Sequence, residues 1–269
     1  MRSRLQIASA ILLLTALVFL IWSIFKFREP VYRGKRLGDW VAQYGTNYWS
    51  APNGELAKEA ESAIRQIGTN AIPFYLRMLT AKESTLKLTL LAIIPRRWQD
   101  RSWRHTVDGH RQWWAYGLIA LGSDAKLAVP SLIALLNETN ASVRCTAVFA
   151  LGGLGSIAGD AIVPLVERLN DRDFMVRNTA IMAVGRIRKD PERVIPGLIK
   201  ILEKPRTPNE TFSFQYNALW SLQKFGAEAK PANTALLPYL NDTEEVLRSA
   251  ATNALKAINP EAAAKAGIK

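Results

Sequence analysis

Small and apolar residues recur along this chain at spacings of three, six and seven positions, in copies that follow one another at about 33 residues. The clearest copies start at Arg144, Arg177 and Arg248 and read R-x-x-A-x-x-A-L/V. Positions three, six and seven apart lie on one face of a helix, and alanine on that face lets a neighbouring helix approach closely. Three weaker copies start at Ala57, Trp114 and Gln215.

A second apolar stretch, with a proline near its start, follows most of these copies. Proline is tolerated in the first turn of a helix, where its missing N–H would have no partner. Each copy therefore predicts a helix A, a short turn and a helix B. A hairpin with one apolar face cannot bury that face alone, but stacked neighbours can. The pattern predicts an all-α fold, an α-solenoid of five to six hairpins over 54–258. The prolines are Pro73, Pro130, Pro164, Pro196 and Pro238.

An acid lies six residues before the arginine in each of the three clearest copies, directly after an asparagine. Asparagine and aspartate favour turns and helix N-caps. We expect the arginine to reach back to this turn and tie consecutive repeats together, which is an architectural role. The pairs are Glu138 with Arg144, Asp171 with Arg177, and Asp242 with Arg248.

These motifs together resemble HEAT repeats of the short type found in phycobilisome lyases, over residues 54 to about 258. The segment 30–40 also resembles a motif that precedes HEAT repeats in membrane-anchored bacterial proteins of unknown function. The resemblance implies adaptor or scaffold work, with lyase activity in some members. The chain lacks identifiable chromophore-handling residues, so that activity is not carried over.

The first 27 residues predict a transmembrane anchor, because residues 5–25 carry no charge. As a helix this run spans roughly 31 Å, close to a hydrocarbon core of about 30 Å. It ends in bulky and then basic residues, which does not suit signal-peptide cleavage. Residues 28–53 are expected to be a linker. Basic residues on both sides leave the orientation of this single-pass protein open, with a preference for an exported domain.

The repeat pattern is interrupted between its first two copies by an insertion near 81–109. Arginine beside tryptophan there suits stacking on bases, lipid headgroups or peptides. Alternatively, the tryptophans hold the loop on the solenoid while the arginines face water. The residues 259–269 are expected to fray. The candidate partner-binding residues are Arg96, Arg97, Trp98, Arg101, Trp103 and Arg104.

The composition argues against disulfide bonds and against sites built from cysteine or histidine. One cysteine and two histidines give no disulfide framework, and we expect no catalytic, cofactor or metal site. The net charge of +12 is concentrated in residues 1–115, which carry +9 of it. The sequence therefore favours a non-catalytic, membrane-anchored scaffold that binds a protein, without a small-molecule substrate. The alternatives are a binder of nucleic acid or lipid headgroups through the basic insertion, and an enzyme of the bilin-lyase kind.

Overall fold

The computed structural model describes residues 14–17, 29–51, 53–82, 107–205, 213–265 and 267. Within these ranges the chain is predominantly helical, and consecutive helices form one stacked row. The helical hairpins expected from the periodicity are present. The one β element in the described part of the chain is a ribbon of two-residue strands, β1 (Val31–Tyr32) and β2 (Lys35–Arg36).

The expectation of a linker over 28–53 does not hold for the described part of that range. Strands β1 and β2 pair antiparallel through a tight turn at Arg33 and Gly34, which both have positive φ. Helix α1 (Leu37–Ser50) follows directly and buries Leu37, Trp40 and Val41. Apolar residues at these positions continue to 44 and 48, a helical spacing that distinguishes the segment from a polar linker.

Six helices occupy the A position of the repeats. Each one buries its small-residue face, as the copies of the pattern predict. The first A helix is far from the second along the sequence, because the insertion lies between them. The A helices are α2 (Glu55–Ile67), α4 (Val107–Ala120), α6 (Ala141–Leu154), α8 (Phe174–Ile187), α10 (Ser213–Phe225) and α12 (Glu245–Ile258).

Three of the five B helices begin one or two residues before a predicted proline, whereas Pro196 lies inside the fourth and Pro238 follows the fifth. Most B helices come after a 3₁₀ turn. Four of these turns open at a glycine with positive φ, a conformation that costs glycine little and ends helix A. In repeat four the reversal uses Arg188 and Asp190 instead, both left-handed. The B helices are α3 (Ile72–Thr80), α5 (Val129–Leu135), α7 (Ile162–Glu167), α9 (Pro191–Glu203) and α11 (Asn233–Leu236).

Consecutive A helices from α4 to α12 pack directly on one another. The small residues make this close approach possible. A Cβ atom added at Gly152 would lie 2.8 Å from the Cα atom of Ala183, and one added at Gly185 would lie 2.8 Å from the Cα atom of Ser221. The core is thus a continuous seam along the row, as expected of a solenoid.

The tail departs from the expectation of fraying over 259–269. Helix α13 (Pro260–Lys265) packs on α12 and buries Ala263. Asn259 caps it, because its Oδ1 atom accepts a hydrogen bond from the Ala262 amide at 3.1 Å. Residues 266, 268 and 269 lie outside the described ranges.

Of the proposed anchor, only residues 14–17 are described, and they are helical. Within the described ranges, one stretch, Ala141–Asn170, is long and apolar enough by composition to cross a membrane. Half of its most apolar 18-residue segment is buried inside the protein. It comprises α6, a 3₁₀ turn, α7 and a second, short 3₁₀ turn, so its apolar character is accounted for by the repeat core.

Candidate protein-binding surface

The candidate partner-binding residues of the basic insertion, between 96 and 104, lie outside the described ranges. The structure therefore does not place Arg96, Arg97, Trp98, Arg101, Trp103 or Arg104. The repeat arginines and their acids are described, and they show how successive repeats are joined.

Arg144 is the most completely bonded of the repeat arginines. Its Nη1 atom donates to the carbonyl oxygens of Glu138 and Thr139, both at 2.9 Å. Its Nε and Nη2 atoms donate to the carboxylate of Asp171 at 3.0 and 2.7 Å. The two side chains of this pair are each 3% exposed. The guanidinium group thus joins its own turn to the turn of the next repeat.

Arg177 and Arg248 make the same backbone contacts. Arg177 Nη1 donates to the carbonyl oxygen of Asp171 at 2.9 Å, and Arg248 Nη1 donates to that of Asp242 at 2.7 Å. Each arginine therefore satisfies carbonyl groups left by the turn before its own helix. The pairing differs from the sequence expectation in one respect, because the carboxylate of Asp171 binds Arg144 of the preceding repeat instead of Arg177.

The acids of the turns have unequal roles. One carboxylate oxygen of Asp171 accepts from the Asp173 amide at 2.9 Å, and Asp242 accepts from the Glu244 amide at 2.9 Å. These contacts shape the turn before helix A. Among the described residues, the carboxylate of Glu138 makes no such contact, and its side chain is exposed.

The Arg144–Asp171 pair carries opposite pKa shifts. Burial alone raises the pKa of Asp171, but hydrogen bonds from Arg144 and the Asp173 amide, with the charges of Arg144 and Arg168, hold it below its ordinary value. The hydrogen bond to Asp171 raises the pKa of Arg144. Both groups are therefore charged at neutral pH. We call this contact between repeats three and four the closed junction.

Sequence reasoning missed one further arginine of this set. Arg111 lies 33 residues before Arg144, is 2% exposed, and donates to Ser142 Oγ at 3.2 Å and to the carbonyl oxygen of Ala81. The spacing could have revealed it. The sequence analysis started this copy three residues later, at Trp114, because Trp114 and Gly117 take the two alanine positions that would have marked Arg111.

A row of larger side chains lies on the A helices, five positions after the repeat arginine. Tyr116 and Phe149 pack edge to face, with ring centroids 5.2 Å apart, and Tyr48 of α1 extends the row 4.8 Å from Tyr116. Met182 and Trp220 occupy the same position in the next two repeats and are half-buried. We call these five residues, four with aromatic rings and one methionine, the aromatic row. They are Tyr48, Tyr116, Phe149, Met182 and Trp220.

Two grooves between neighbouring A helices lie beside this row. The first, of about 380 Å³, includes Phe149 and Cys145 and reaches Met175 of the next repeat. Burial raises the pKa of the Cys145 thiol, whose sulfur lies 3.4 Å from Thr179 Oγ1. The second, of about 420 Å³, lies between Trp220 and Val246. The described lining of both grooves contains no lysine or arginine.

Within the described ranges, no group of three or more His, Cys, Asp or Glu side chains could hold a metal ion.

Residues 129–211 match a family profile described as HEAT repeats. Three similar solved structures have TM-scores below one half. An engineered protein is 17% identical over 83% of this chain and 96% of its own, with a TM-score of 0.48. The CpcE–CpcF complex of phycocyanin lyase from Nostoc sp. is 23% identical over 68% of each chain, at 0.46. A karyopherin bound to the C-terminus of a protein phosphatase is 17% identical over 82% of this chain and 26% of its own, at 0.46. No curated protein sequence matches.

Proposed function

We propose that this chain is a non-catalytic scaffold, anchored in a membrane by residues 5–25, whose A-helix face binds a protein partner. The observation that carries the proposal is the aromatic row with its two grooves. Aromatic residues and methionine are enriched in protein interfaces, and the strongest contacts are made by aromatic anchors in pockets. Tyr48, Phe149, Met182 and Trp220 are half-buried and reach this surface, whereas Tyr116, at 6% exposed, lies beneath it.

The charge of this face supports a protein partner over a nucleic acid. Binding to phosphate requires lysine or arginine side chains at the contact. The grooves contain Asp173 and Glu245 but no basic residue among their described lining. The partner proposed for this face is therefore a protein surface with apolar side chains.

Site-specific photo-crosslinking tests this face in membranes from cells that make the full chain. A photoreactive residue at Ser249 lies in the second groove, whereas one at Lys230 is a control on an exposed turn of the preceding repeat. We expect a discrete protein adduct from Ser249 and none from Lys230. Trp220→Ala should reduce that adduct at least tenfold, since loss of an aromatic hot spot costs about 2 kcal/mol or more. Equal adducts from both positions, or an adduct that survives Trp220→Ala, would contradict the proposal.

The anchor is tested separately. Membranes should retain the full chain after extraction at high pH, whereas a chain that begins at residue 29 should be released. Lys269→Cys in a Cys145→Ser background then reports the side of the membrane. We expect an impermeant maleimide to label intact cells, which is the exported orientation. Release of the full chain would reject the anchor.

A second candidate function is supported by the concentration of positive charge in residues 1–115. If the arginine-rich segment between 96 and 104 binds an anionic polymer or a lipid surface, its affinity should fall steeply with salt. Binding through the aromatic row should change little. A bilin-lyase activity would instead yield a coloured adduct when the chain is produced together with a bilin and an acceptor protein.

A further inference from the structure

A cleft lined by basic side chains lies at the junction between repeats four and five. Its volume is about 500 Å³, and α7, α8, α9 and α10 contribute to its walls. Four cationic side chains line it, and its described lining includes no acid. One of the four, Arg193, forms an ion pair, with its Nε atom 3.2 Å from Oδ2 of Asp190. The cationic residues are Arg177, Arg193, Lys200 and Lys204.

This cleft lies where the closed junction has its ion pair. At the closed junction, the Nε and Nη2 atoms of Arg144 bind the acid of the next repeat. In the sequence, the residue six positions before Gln215 is an asparagine, Asn209, instead of an acid, and it lies outside the described ranges. Arg177 retains the backbone contacts through Nη1, and its guanidinium carbon lies 5.4 Å from the centroid of the Phe214 ring. Its Nε and Nη2 atoms have no acceptor among the described residues. We call this the open junction.

A buried amide points independently to a ligand. Gln215 occupies the position of the repeat arginine in repeat five, lines the cleft and is 4% exposed. Its Oε1 atom has no hydrogen-bond partner among the described residues. Buried polar atoms are normally bonded, and one left without a partner costs free energy. A donor supplied by a ligand would satisfy it.

We propose that the open junction binds an acidic side chain carried on an extended peptide segment of a protein partner. The carboxylate takes the place that Asp171 has at the closed junction and accepts two hydrogen bonds from Arg177. A main-chain N–H of the same segment donates to Gln215 Oε1. Lys200 and Lys204, both exposed, add long-range attraction for the negative charge.

The floor of the cleft distinguishes a peptide from a phosphate ligand. It is formed by apolar side chains, which suit an apolar residue next to the acid. The phosphodiester backbone of a nucleic acid carries no N–H donor near its charge, so it would leave the amide oxygen unbonded. The floor residues are Val166, Leu169, Ile181, Ile201 and Phe214.

This inference rests on the proposed function in that the ligand belongs to a protein partner, but it uses a different surface. Crosslinking at Ser249 reports the aromatic row alone. Loss of peptide binding with crosslinking intact would reject only the acidic subsite. Loss of crosslinking with peptide binding intact would reject only the A-helix face.

The test measures the affinity of the full chain, in detergent, for two fluorescent peptides by anisotropy. The probes are Gly-Gly-Leu-Asp-Leu-Gly-Gly and the same sequence with asparagine in place of aspartate. A charge-assisted, bidentate contact predicts that the aspartate peptide binds roughly 10- to 100-fold more tightly. Arg177→Met should remove that preference. Arg172→Met, at an exposed arginine that donates to the Thr139 carbonyl outside the cleft, should retain it.

A second variant guards against loss of folding in Arg177→Met, which also removes two backbone contacts. Lys200→Gln with Lys204→Gln changes exposed side chains only, and it should weaken the aspartate peptide several-fold without changing the thermal midpoint. Equal affinity for the two peptides, or full affinity in Arg177→Met, would overturn the proposal. So would tighter binding of inorganic phosphate or of an oligothymidylate that depends on Arg177, since the ligand would then be a phosphate.

Discussion

The closed and open junctions join different pairs of repeats with the same helical pattern, and they differ in one polar contact. In both, small residues bring the A helices together, and the arginine of the earlier repeat bonds carbonyl groups of its own turn. At the closed junction the next repeat supplies Asp171. At the open junction the described chain supplies a cleft with a buried glutamine. Packing thus joins the repeats at both places, whereas the polar contact is complete at only one.

The largest effect should come from removing the acid of the closed junction. Asp171→Ala leaves the buried guanidinium of Arg144 without its counter-charge, and breaking a buried pair in this way costs about 3–5 kcal/mol. Urea denaturation of the full chain measures the loss. Asp242→Ala is the matched control, because that acid follows the repeat in which Gln215 replaces the arginine. It should cost only about 1 kcal/mol, from the lost turn contact. Equal losses would show that the pair contributes no more than the turn.

The next effect tests whether packing is shared by the two junctions. Gly152→Ala at the closed junction and Gly185→Ala at the open junction each place a Cβ atom 2.8 Å from a neighbouring Cα atom. Each should destabilise the fold by about 1–3 kcal/mol through overpacking. Gly159→Ala, whose Cβ atom would lie 3.6 Å from Lys189 Cγ, should change stability by less than about 0.5 kcal/mol. A loss at one junction only would mean that the two are packed differently.

A smaller effect is expected from the buried amides of α10. Asn217 donates to Asn178 Oδ1 at 2.9 Å, so Asn217→Leu should cost about 1 kcal/mol. Gln215 has an unbonded oxygen, so Gln215→Leu should be neutral or stabilising by up to about 1 kcal/mol while it weakens the aspartate peptide. Urea denaturation and anisotropy give both readouts. A large destabilisation by Gln215→Leu would mean that the amide serves the fold instead of a ligand.

The smallest effect is the contribution of Asp171 to the pH dependence of unfolding. Its pKa is below the ordinary value in the folded protein, so its stabilising contribution is complete above the pKa of the unfolded chain, about 4. The contribution is lost as pH falls through the lowered folded value. Asp171→Asn should therefore show a flatter decline in the free energy of unfolding between pH 4 and pH 2. Parallel curves for the two proteins would contradict the assigned shift.

Local periodicity predicted the helical repeats well, because residues three and four positions apart lie on the same face of a helix. It also located most B helices through their prolines. The same reasoning should have found α1, whose buried Leu37, Trp40 and Val41 follow helical spacing, but the range was interpreted as a linker. Arg111 was missed because the copy was started three residues later, at Trp114, which stands where the other copies have alanine.

The pairing of charges could not be taken from sequence spacing in the same way. Arg177 lies six residues after Asp171, yet that carboxylate binds Arg144, 27 residues earlier. A local spacing gives positions along one turn, whereas the partner of a side chain depends on how two repeats are superposed. The open junction has the same origin, since Gln215 gives no signal in the sequence that its oxygen lacks a partner.

The sequence by itself determined the repeat, its length and the helices in it, because these depend on interactions between residues close together along the chain. Only the tertiary structure decided which arginine met which acid, which junction was left open and which side chains formed the aromatic row. Those outcomes depend on distances between separate repeats, which the rotation and spacing of stacked helices set.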